Sequence, residues 1–390
     1  MALSTQAEHA ARGARSPACP RGLPDPGKLA ATGRLAKFGK GFIVHVGKAF
    51  YLCIKEESDY MSETMIFRTP VQVTPPAHPI QPYEDCVLLG SCFAQEMGTR
   101  MAAHGLRALC NPLGTLYNPA SIARLVHHAL RGMREPLPVL EAHGQWHCWL
   151  AGTQVEEATR EAITARMRHE LARLGQALSC ASHLFVTLGT NVCYRLLSDG
   201  GVVTNCHKMP ASLFQEDTLS LSQCVDTLHG MTRELLEENP RLHITFTISP
   251  YRYAKYGFHR SQVAKSTLLL AVEEVCRGQQ AVHYFPAYEI LLDELRDYRF
   301  YADDMLHPSQ MAADYIWQRF CQAYMSERTR QYILEYEPVR KGLAHRPSDP
   351  DSPQHLAFVR GLEEKAAELR RKYGMEGEAA DTATDTTGKQ

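Results

Sequence analysis

From residue 84 onward the chain alternates between short apolar runs and longer stretches with helical periodicity, and this alternation restricts the fold more than any other feature. Each run is short enough to be a buried strand. The runs are CVLL (86–89), LRALC (106–110), HLFVTLGT (183–190), HITFTISP (243–250) and AVHYFPA (281–287). Parallel strands joined by helical crossovers form a sheet with helices on both faces. The sequence therefore predicts the α/β class: a three-layer α/β/α sandwich with a mainly parallel sheet, in which active groups follow the carboxyl ends of the strands.

Helical periodicity fills the segments between these strands. The predicted helices span 92–104, 120–132, 155–179, 219–238, 262–277 and 308–325. Two of them carry apolar stripes: Ile163, Met167, Leu171, Leu174 and Leu178 on one, and Met311, Tyr315, Ile316 and Phe320 on the other. Such stripes indicate one buried face. Pro308 suits the first turn of the last helix.

The remainder of the sequence lacks this alternation and sets the predicted domain boundaries. We expect a poorly ordered extension at 1–65, the α/β domain at 66–335, a linker at 336–352, a helix at 353–374 and a disordered tail at 375–390. Within the extension, Met61 opens MSETMIFRTP and is a second candidate start of translation.

Charge and cysteine usage argue against several classes of protein. The formal net charge of -1 provides no field that would attract nucleic acid or an anionic membrane. No apolar stretch reaches the roughly 18 residues that a membrane helix needs, and residues 1–40 do not resemble a secretory signal. The 12 cysteines include no CxxC pair, which is typical of reduced thiols. We expect a cytoplasmic protein without a structural metal and without nucleic-acid or membrane partners.

Ser91 lies in GSCFA (90–94), where a predicted strand turns into a helix. A serine at such a turn can present its hydroxyl as a nucleophile near the positive end of the helix dipole. Serine is also among the commonest helix N-caps. The capping-box form of that cap needs Glu or Gln three residues later, and position 94 is Ala. Both roles stay open for Ser91, whereas the side chain of Cys92 is expected to point toward the packed face of the helix.

Three further loops carry groups that an acyl-transfer site needs. Asn191 offers an amide that can donate to an oxyanion, although a loop Asn is more often a turn former. Gly114 lets backbone N–H groups approach a substrate closely, but a turn glycine would look the same. Asp304 precedes His307 by three residues, so its carboxylate can hold the imidazole in one tautomer while the imidazole accepts a proton.

The order of these motifs resembles a known family. GSCFA at 90–94 is the signature of the GSCFA family, which is similar in turn to the SGNH, or GDSL-like, hydrolases. The resemblance extends from about Ile66 to Phe320 and includes NPLGTLYNPASI, TLGTN, NCHKMP, ISPYR and YFPAYEILLDELRDYRFYADDMLHPS. It implies five roles: Ser91 as nucleophile, Gly114 and Asn191 as oxyanion donors, Asp304 as the acid and His307 as the base. Two positions depart from the SGNH pattern, because the chain has GS in place of GDS and has Val192 where an Asp commonly follows the oxyanion Asn.

Two other strings in this resemblance carry polar side chains. Asn205, His207 and Lys208 form a polar cluster that is either a wall of the substrate pocket or a loop that hydrogen-bonds to itself. Arg252, in SPYRY, is either an anchor for a carboxylate or a sugar hydroxyl, or a structural arginine.

The resemblance implies a serine esterase that removes a small O-acyl group, such as acetyl, from a carbohydrate or a similar polar substrate through an acyl-enzyme. It implies neither a metal nor an organic cofactor. Two alternatives stay open: an O-acyltransferase that uses the same serine, and a catalytically silent carbohydrate-binding or scaffold protein.

Overall fold

The computed structural model describes residues 68–133 and 136–376, together with the backbone of three strands nearer the N-terminus. The chain divides into two compact units, Met1–Phe67 and Arg68–Gln390. In the first unit, the strands form an antiparallel sheet in the order β1-β2-β3. These strands are β1 (Leu35–Phe38), β2 (Gly41–Val46) and β3 (Ala49–Ile54).

These three strands fall inside the extension predicted at 1–65, where the sequence indicated no regular structure. The rest of that extension lies outside the described residues, as do residues 377–390 of the predicted tail. In the part of the chain that the structure describes, no helix combines the length and the apolar character needed to cross a bilayer.

The second unit is built on a central parallel sheet. The strands of the whole second unit are β4 (Cys86–Gly90), β5 (Ala108–Cys110), β6 (Val139–Ala142), β7 (Gln145–Cys148), β8 (His183–Leu188), β9 (Val192–Leu196), β10 (Val202–Val203), β11 (Phe214–Thr218), β12 (His243–Ile248) and β13 (Val282–Tyr284). Five of them form the central sheet in the order β13-β12-β8-β4-β5, and each neighbouring pair is parallel. The predicted fold class is confirmed.

All but one of the long helices lie close to their predicted positions, and the helix Glu327–Leu343 was not predicted. The helices are α1 (Cys92–Ala103), α2 (Pro119–Arg131), α3 (Arg160–Cys180), α4 (Leu221–Glu238), α5 (Phe258–Cys276), α6 (Gln310–Tyr324), α7 (Glu327–Leu343) and α8 (Pro353–Tyr373). A short helical segment, Ala287–Glu289, continues as a π-helix at Ile290–Leu295. The antiparallel hairpin β6-β7 and the small sheet β10-β9-β11 were not predicted.

Two hydrophobic clusters lie on opposite faces of the central sheet. Alternate residues of β4 point into different clusters: Val87 and Leu89 join one, and Cys86 and Leu88 join the other. Helices α2 to α5 pack into the first cluster, and α1 and α6 to α8 pack into the second. The stripe predicted on α3 is buried along its whole length. This arrangement is the predicted three-layer sandwich.

Two details near the C-terminus of the α/β unit differ from prediction. Helix α6 begins after its N-cap Ser309, so Pro308 precedes the helix, and Met311 is exposed. Helix α7 continues through residues 336–343 of the predicted linker although it contains Pro338. Tyr332 and Val339 bury their side chains against the domain, and this packing offsets the cost of an internal proline.

The strand order places one crevice at the carboxyl edge of the sheet. After β4 the chain adds β5 on one side, and it then adds β8 on the other side of β4. In open α/β sheets, ligands bind where the strand order reverses in this way. Ser91 and Cys92 follow β4, and Asn191 follows β8. The fold therefore brings two of the predicted motifs to its switch point.

Candidate active site

The turn between β4 and α1 requires glycine at position 90. Gly90 has φ of 130°, and a Cβ there would lie 2.2 Å from the carbonyl oxygen of Thr187 on β8. Its N–H donates to Asn111 Oδ1 (2.9 Å), and its carbonyl accepts from the N–H of Leu116 (2.9 Å). Two hydrogen bonds to the loop at 111–118 thus fix the backbone from which Ser91 and Cys92 project.

Ser91 is the N-cap of α1. Its Oγ accepts a hydrogen bond from the N–H of Phe93 (3.3 Å), and the residue is only 1% exposed. Among the described residues, no hydrogen bond joins Ser91 Oγ to His307. The sequence left two roles open for Ser91, and this geometry gives it the capping role.

Cys92 is turned toward the solvent-facing crevice. Its Sγ lies 4.0 Å from Nε2 of His307, and its half-buried side chain lines a surface cavity of about 170 Å³ together with Phe93, Tyr251 and His307. The expectation that its side chain points toward the packed face was wrong. Phe93 and Ala94, which are the next residues of α1, are buried on that face instead.

Asp304 and His307 form a close carboxylate–imidazole pair. Oδ2 of Asp304 lies 2.5 Å from Nδ1 of His307, and Oδ1 accepts from the N–H groups of Leu306 (2.8 Å) and His307 (2.9 Å). These hydrogen bonds lower the pKa of the Asp304 carboxyl to about 2. Because an ionised carboxylate only accepts, Nδ1 carries the proton, and the lone pair of Nε2 faces Cys92.

The two predicted oxyanion donors are engaged elsewhere. Asn191 donates from Nδ2 to the carbonyl of Leu219 (2.7 Å), which uses one of its two amide hydrogens. The N–H of Gly114 donates to the carbonyl of Asn111 (2.9 Å), and its φ of 83° belongs to that turn. Gly114 therefore serves as a turn glycine, which was the alternative to its predicted role as an oxyanion donor.

The NCHK loop hydrogen-bonds both to itself and to the end of β7. Oδ1 of Asn205 accepts from the N–H of His207 (2.8 Å), and Nε2 of His207 donates to the carbonyl of Cys148 (3.1 Å). His207 and Lys208 both have positive φ, at 47° and 57°. His207 is only 2% exposed, and its burial, with His147 nearby, lowers its pKa to about 4. None of the predicted residues Asn205, His207 and Lys208 lines the cavity beside His307.

Arg252 supports the loop that carries His307. Its N–H donates to the carbonyl of Leu306 (3.0 Å), and its Nη1 donates to the carbonyl of Met305 (3.1 Å). Its guanidinium lies 4.2 Å from the ring centre of Phe258. Of the two roles that the sequence left open for Arg252, these contacts match the structural one.

Sequence reasoning missed three residues around this site. The Tyr251 ring lies 4.3 Å from the His307 ring, and the Tyr117 hydroxyl lies close enough to the Cys92 thiol to act on its pKa in the lowering direction. Lys265, which is fully buried, donates from Nζ to the carbonyl of Ser249 (2.7 Å), and burial lowers its pKa to about 7. The position of Tyr251 after β12 is a usable signal, whereas Lys265 lies on an apolar helix face and gives none.

Metal-ligating side chains are not clustered in the described ranges 68–133 and 136–376. No group of three or more His, Cys, Asp or Glu residues there is arranged to hold a metal ion. The pair of Asp304 and His307 can instead act as an acid–base couple, since the carboxylate orients the imidazole and stabilises its protonated form.

A parallel sheet with a carboxylate–imidazole pair beside its switch point makes this chain a protein of the α/β class. The chain belongs to the GSCFA family, whose model matches residues 85–320. A second model, described as the C-terminal domain of GSCFA domain proteins, matches residues 336–379 and thus includes α8.

Comparison with other known proteins adds little. No curated protein matches the chain. Among solved structures, an acetyl xylan esterase from the rumen bacterium Butyrivibrio proteoclasticus matches at 12% identity and a TM-score of 0.34. The match covers 63% of this chain and 65% of the esterase chain, which is less than two thirds of its length.

Proposed function

We propose that this protein hydrolyses carboxylic esters through an acyl-enzyme, with His307 as general base and Asp304 as the residue that orients it. The observation that carries the proposal is the 2.5 Å contact between Asp304 and His307, with the opposite ring nitrogen directed at the β4–α1 turn. A base that faces a nucleophilic side chain and is held by a third group is the arrangement that acyl transfer requires. The site also lies at the sheet edge where this fold binds ligands.

The proposed substrate is a small O-acyl ester, such as an acetyl ester of a carbohydrate. The cavity beside His307 is small, at about 170 Å³, which suits a short acyl group better than a long one. Its lining combines Phe93 and Ala313 with Glu96 and Gln310. The apolar side chains can contact an acyl methyl group, while the carboxylate and the amide can hydrogen-bond to hydroxyl groups.

The resemblance to SGNH hydrolases names Ser91 as the nucleophile, and this assignment stays a prediction. For Ser91 Oγ to attack an ester, it would have to give up the hydrogen bond from the N–H of Phe93 and reach the cavity from a buried position. Asn191 retains one amide hydrogen that could be donated to an oxyanion. Backbone N–H groups in the first turn of α1 could supply further donors.

Hydrolysis of p-nitrophenyl esters tests the proposal. We expect the wild-type protein to cleave the acetate with a higher kcat/KM than the octanoate, because the cavity is small. Asp304→Asn should lower kcat by about a hundred-fold or more, since the amide no longer stabilises the imidazolium.

Asp303→Asn provides the matched control because Asp303 is the exposed neighbour of Asp304, and the hydrogen bonds to His307 come from Asp304. Its kcat should stay within about threefold of wild type. Equal losses in the two folded variants, or a larger loss in Asp303→Asn, would contradict the role assigned to Asp304.

A further inference from the structure

We infer that Cys92, and not Ser91, is the nucleophile, so that Cys92, His307 and Asp304 form the reacting set. This inference rests on the proposed function, which it makes more specific. It starts from the direction of His307: the ring nitrogen that is free to accept a proton lies 4.0 Å from Cys92 Sγ. At this site a thiol and a base therefore already face each other across a surface cavity.

The contacts of the His307 ring favour the transfer of a proton from the Cys92 thiol to Nε2. Asp304 holds Nδ1 at 2.5 Å, and its two backbone hydrogen bonds fix the carboxylate within the same turn. A proton taken up at Nε2 would therefore create an imidazolium next to an ionised carboxylate. Arg252 holds the carbonyl groups of Met305 and Leu306, so the loop that carries the base is supported from a second side.

Ser91, unlike Cys92, points away from the cavity lining and into the start of the helix. Its hydroxyl is almost completely buried and accepts from the N–H of Phe93, and its own N–H donates to the carbonyl of Thr187 (3.2 Å). These bonds begin helix α1 and join it to β8. Ser91 thus fixes the start of the helix, and Cys92, the first helical residue, is the one that reaches the cavity.

The surroundings of the thiol explain why it needs a base. Burial raises the pKa of Cys92, while a backbone N–H group, the nearby Tyr117 hydroxyl and the charge of Lys265 lower it by smaller amounts. The thiol is therefore protonated at neutral pH, as a serine hydroxyl would be. Attack then requires proton transfer to Nε2 of His307 as the carbon–sulfur bond forms.

The proposed reaction balances without a cofactor. Sγ of Cys92 attacks the ester carbonyl as its proton moves to His307; the carbon–oxygen bond then breaks, and His307 returns that proton to the leaving alcohol. A water molecule next gives a proton to His307 and attacks the thioester carbonyl. The carbon–sulfur bond breaks, the carboxylic acid leaves, and the thiolate recovers its proton from His307.

Substitution of the two adjacent residues in the full chain tests the inference with p-nitrophenyl acetate. Cys92→Ala should lower kcat by about a hundred-fold or more, while Ser91→Ala should stay within about fivefold. Loss of the cap in Ser91→Ala should instead lower the melting temperature by a few degrees. The reverse pattern, with both variants folded, would overturn the inference and leave the proposed ester hydrolysis intact.

The site of acylation provides a second readout. After acid quenching of the reaction with p-nitrophenyl acetate, we expect an acetyl group on the peptide that contains residues 91 and 92. It should persist in Ser91→Ala, be lost in Cys92→Ala and be removed by neutral hydroxylamine, as a thioester is. An acetyl group that resists hydroxylamine and disappears in Ser91→Ala would place the acyl group on the serine and overturn the inference.

Alkylation by iodoacetamide separates this inference from the proposed function. His307→Gln should slow the alkylation of Cys92 by about tenfold and leave that of exposed Cys180 unchanged, because Cys92 is the one cysteine in the described ranges that lines the cavity beside His307. Absence of ester hydrolysis in wild-type protein would refute the proposed function. An unchanged alkylation rate of Cys92 in His307→Gln would refute the thiol–imidazole pair independently of turnover.

Discussion

His307 and His207 both lie in loops with positive φ values, yet the structure gives the two imidazoles opposite properties. The His307 side chain is 47% exposed, and its Nδ1 contacts the carboxylate of Asp304. His207 is almost fully buried, and its Nε2 donates to the carbonyl of Cys148. A carboxylate stabilises a ring that has accepted a proton, whereas burial favours the neutral form of His207 although its bond to the Cys148 carbonyl acts in the opposite direction. The surroundings of each ring, more than the loop conformation, separate a base from a structural histidine.

The comparison predicts that His207→Gln has a large effect on stability and little effect on catalysis. This substitution should lower the free energy of unfolding by about 1–3 kcal/mol, because a flexible amide replaces a buried ring that packs against His147 and Trp149. Chemical denaturation measures this change. The kcat of the folded fraction should remain within about threefold of wild type, and a large loss of kcat at unchanged stability would show that His207 takes part in catalysis.

A smaller effect on catalysis is expected when the support of the His307 loop is removed. Arg252→Met removes the hydrogen bond to the carbonyl of Met305 but keeps an apolar stem against Phe258. We expect kcat to fall by about tenfold, with KM within about twofold, because the base is less well positioned. Arg252→Lys should recover part of the loss. A rise in KM alone would instead support the substrate-anchor role for Arg252.

The acid side of the stability profile provides a further test. The folded-state pKa of His207 is about 4, below the ordinary value of about 6.5, and that of His243 is shifted in the same way. Between these values the unfolded chain binds more protons, so the free energy of unfolding should fall as pH decreases from 6.5 to 4. The slope should reach at most about 1.4 kcal/mol per pH unit for each histidine. His207→Gln should flatten it, and an unchanged slope would show that His207 is already charged in the folded protein.

The smallest effect is expected from truncation. Both histidine loops belong to the second unit, Arg68–Gln390. A chain that begins at Met61 should therefore keep its melting temperature within about 2 °C and its esterase activity within about twofold. A truncated protein that is insoluble, or several degrees less stable, would show that the first unit supports the second.

Much of the fold was predictable because strand and helix periods differ. The five central strands and the buried stripe on α3 follow directly from hydrophobic spacing. Helix α7 was not predicted at all, since Pro338 interrupts its helical pattern and only the burial of Tyr332 and Val339 shows why the helix continues. Strands β9 to β11 were missed because they are short and mostly half-exposed.

The site was less predictable because it depends on side-chain direction. The pairing of Asp304 with His307 follows from their spacing within one turn. The capping-box test misled for Ser91, since its cap uses the N–H of Phe93 and needs no Glu or Gln. A signal for Cys92 was available: in the GDS pattern the nucleophile is the second residue after glycine, and here that residue is Cys92.

The most direct test of the account compares His307→Gln with His207→Gln at equal concentrations of folded protein. The measurement is kcat for the hydrolysis of p-nitrophenyl acetate. The account predicts a loss of about a hundred-fold or more for His307→Gln and less than about threefold for His207→Gln. Equal losses, or full activity in His307→Gln, would contradict the claim that the imidazole beside Asp304 is the catalytic base.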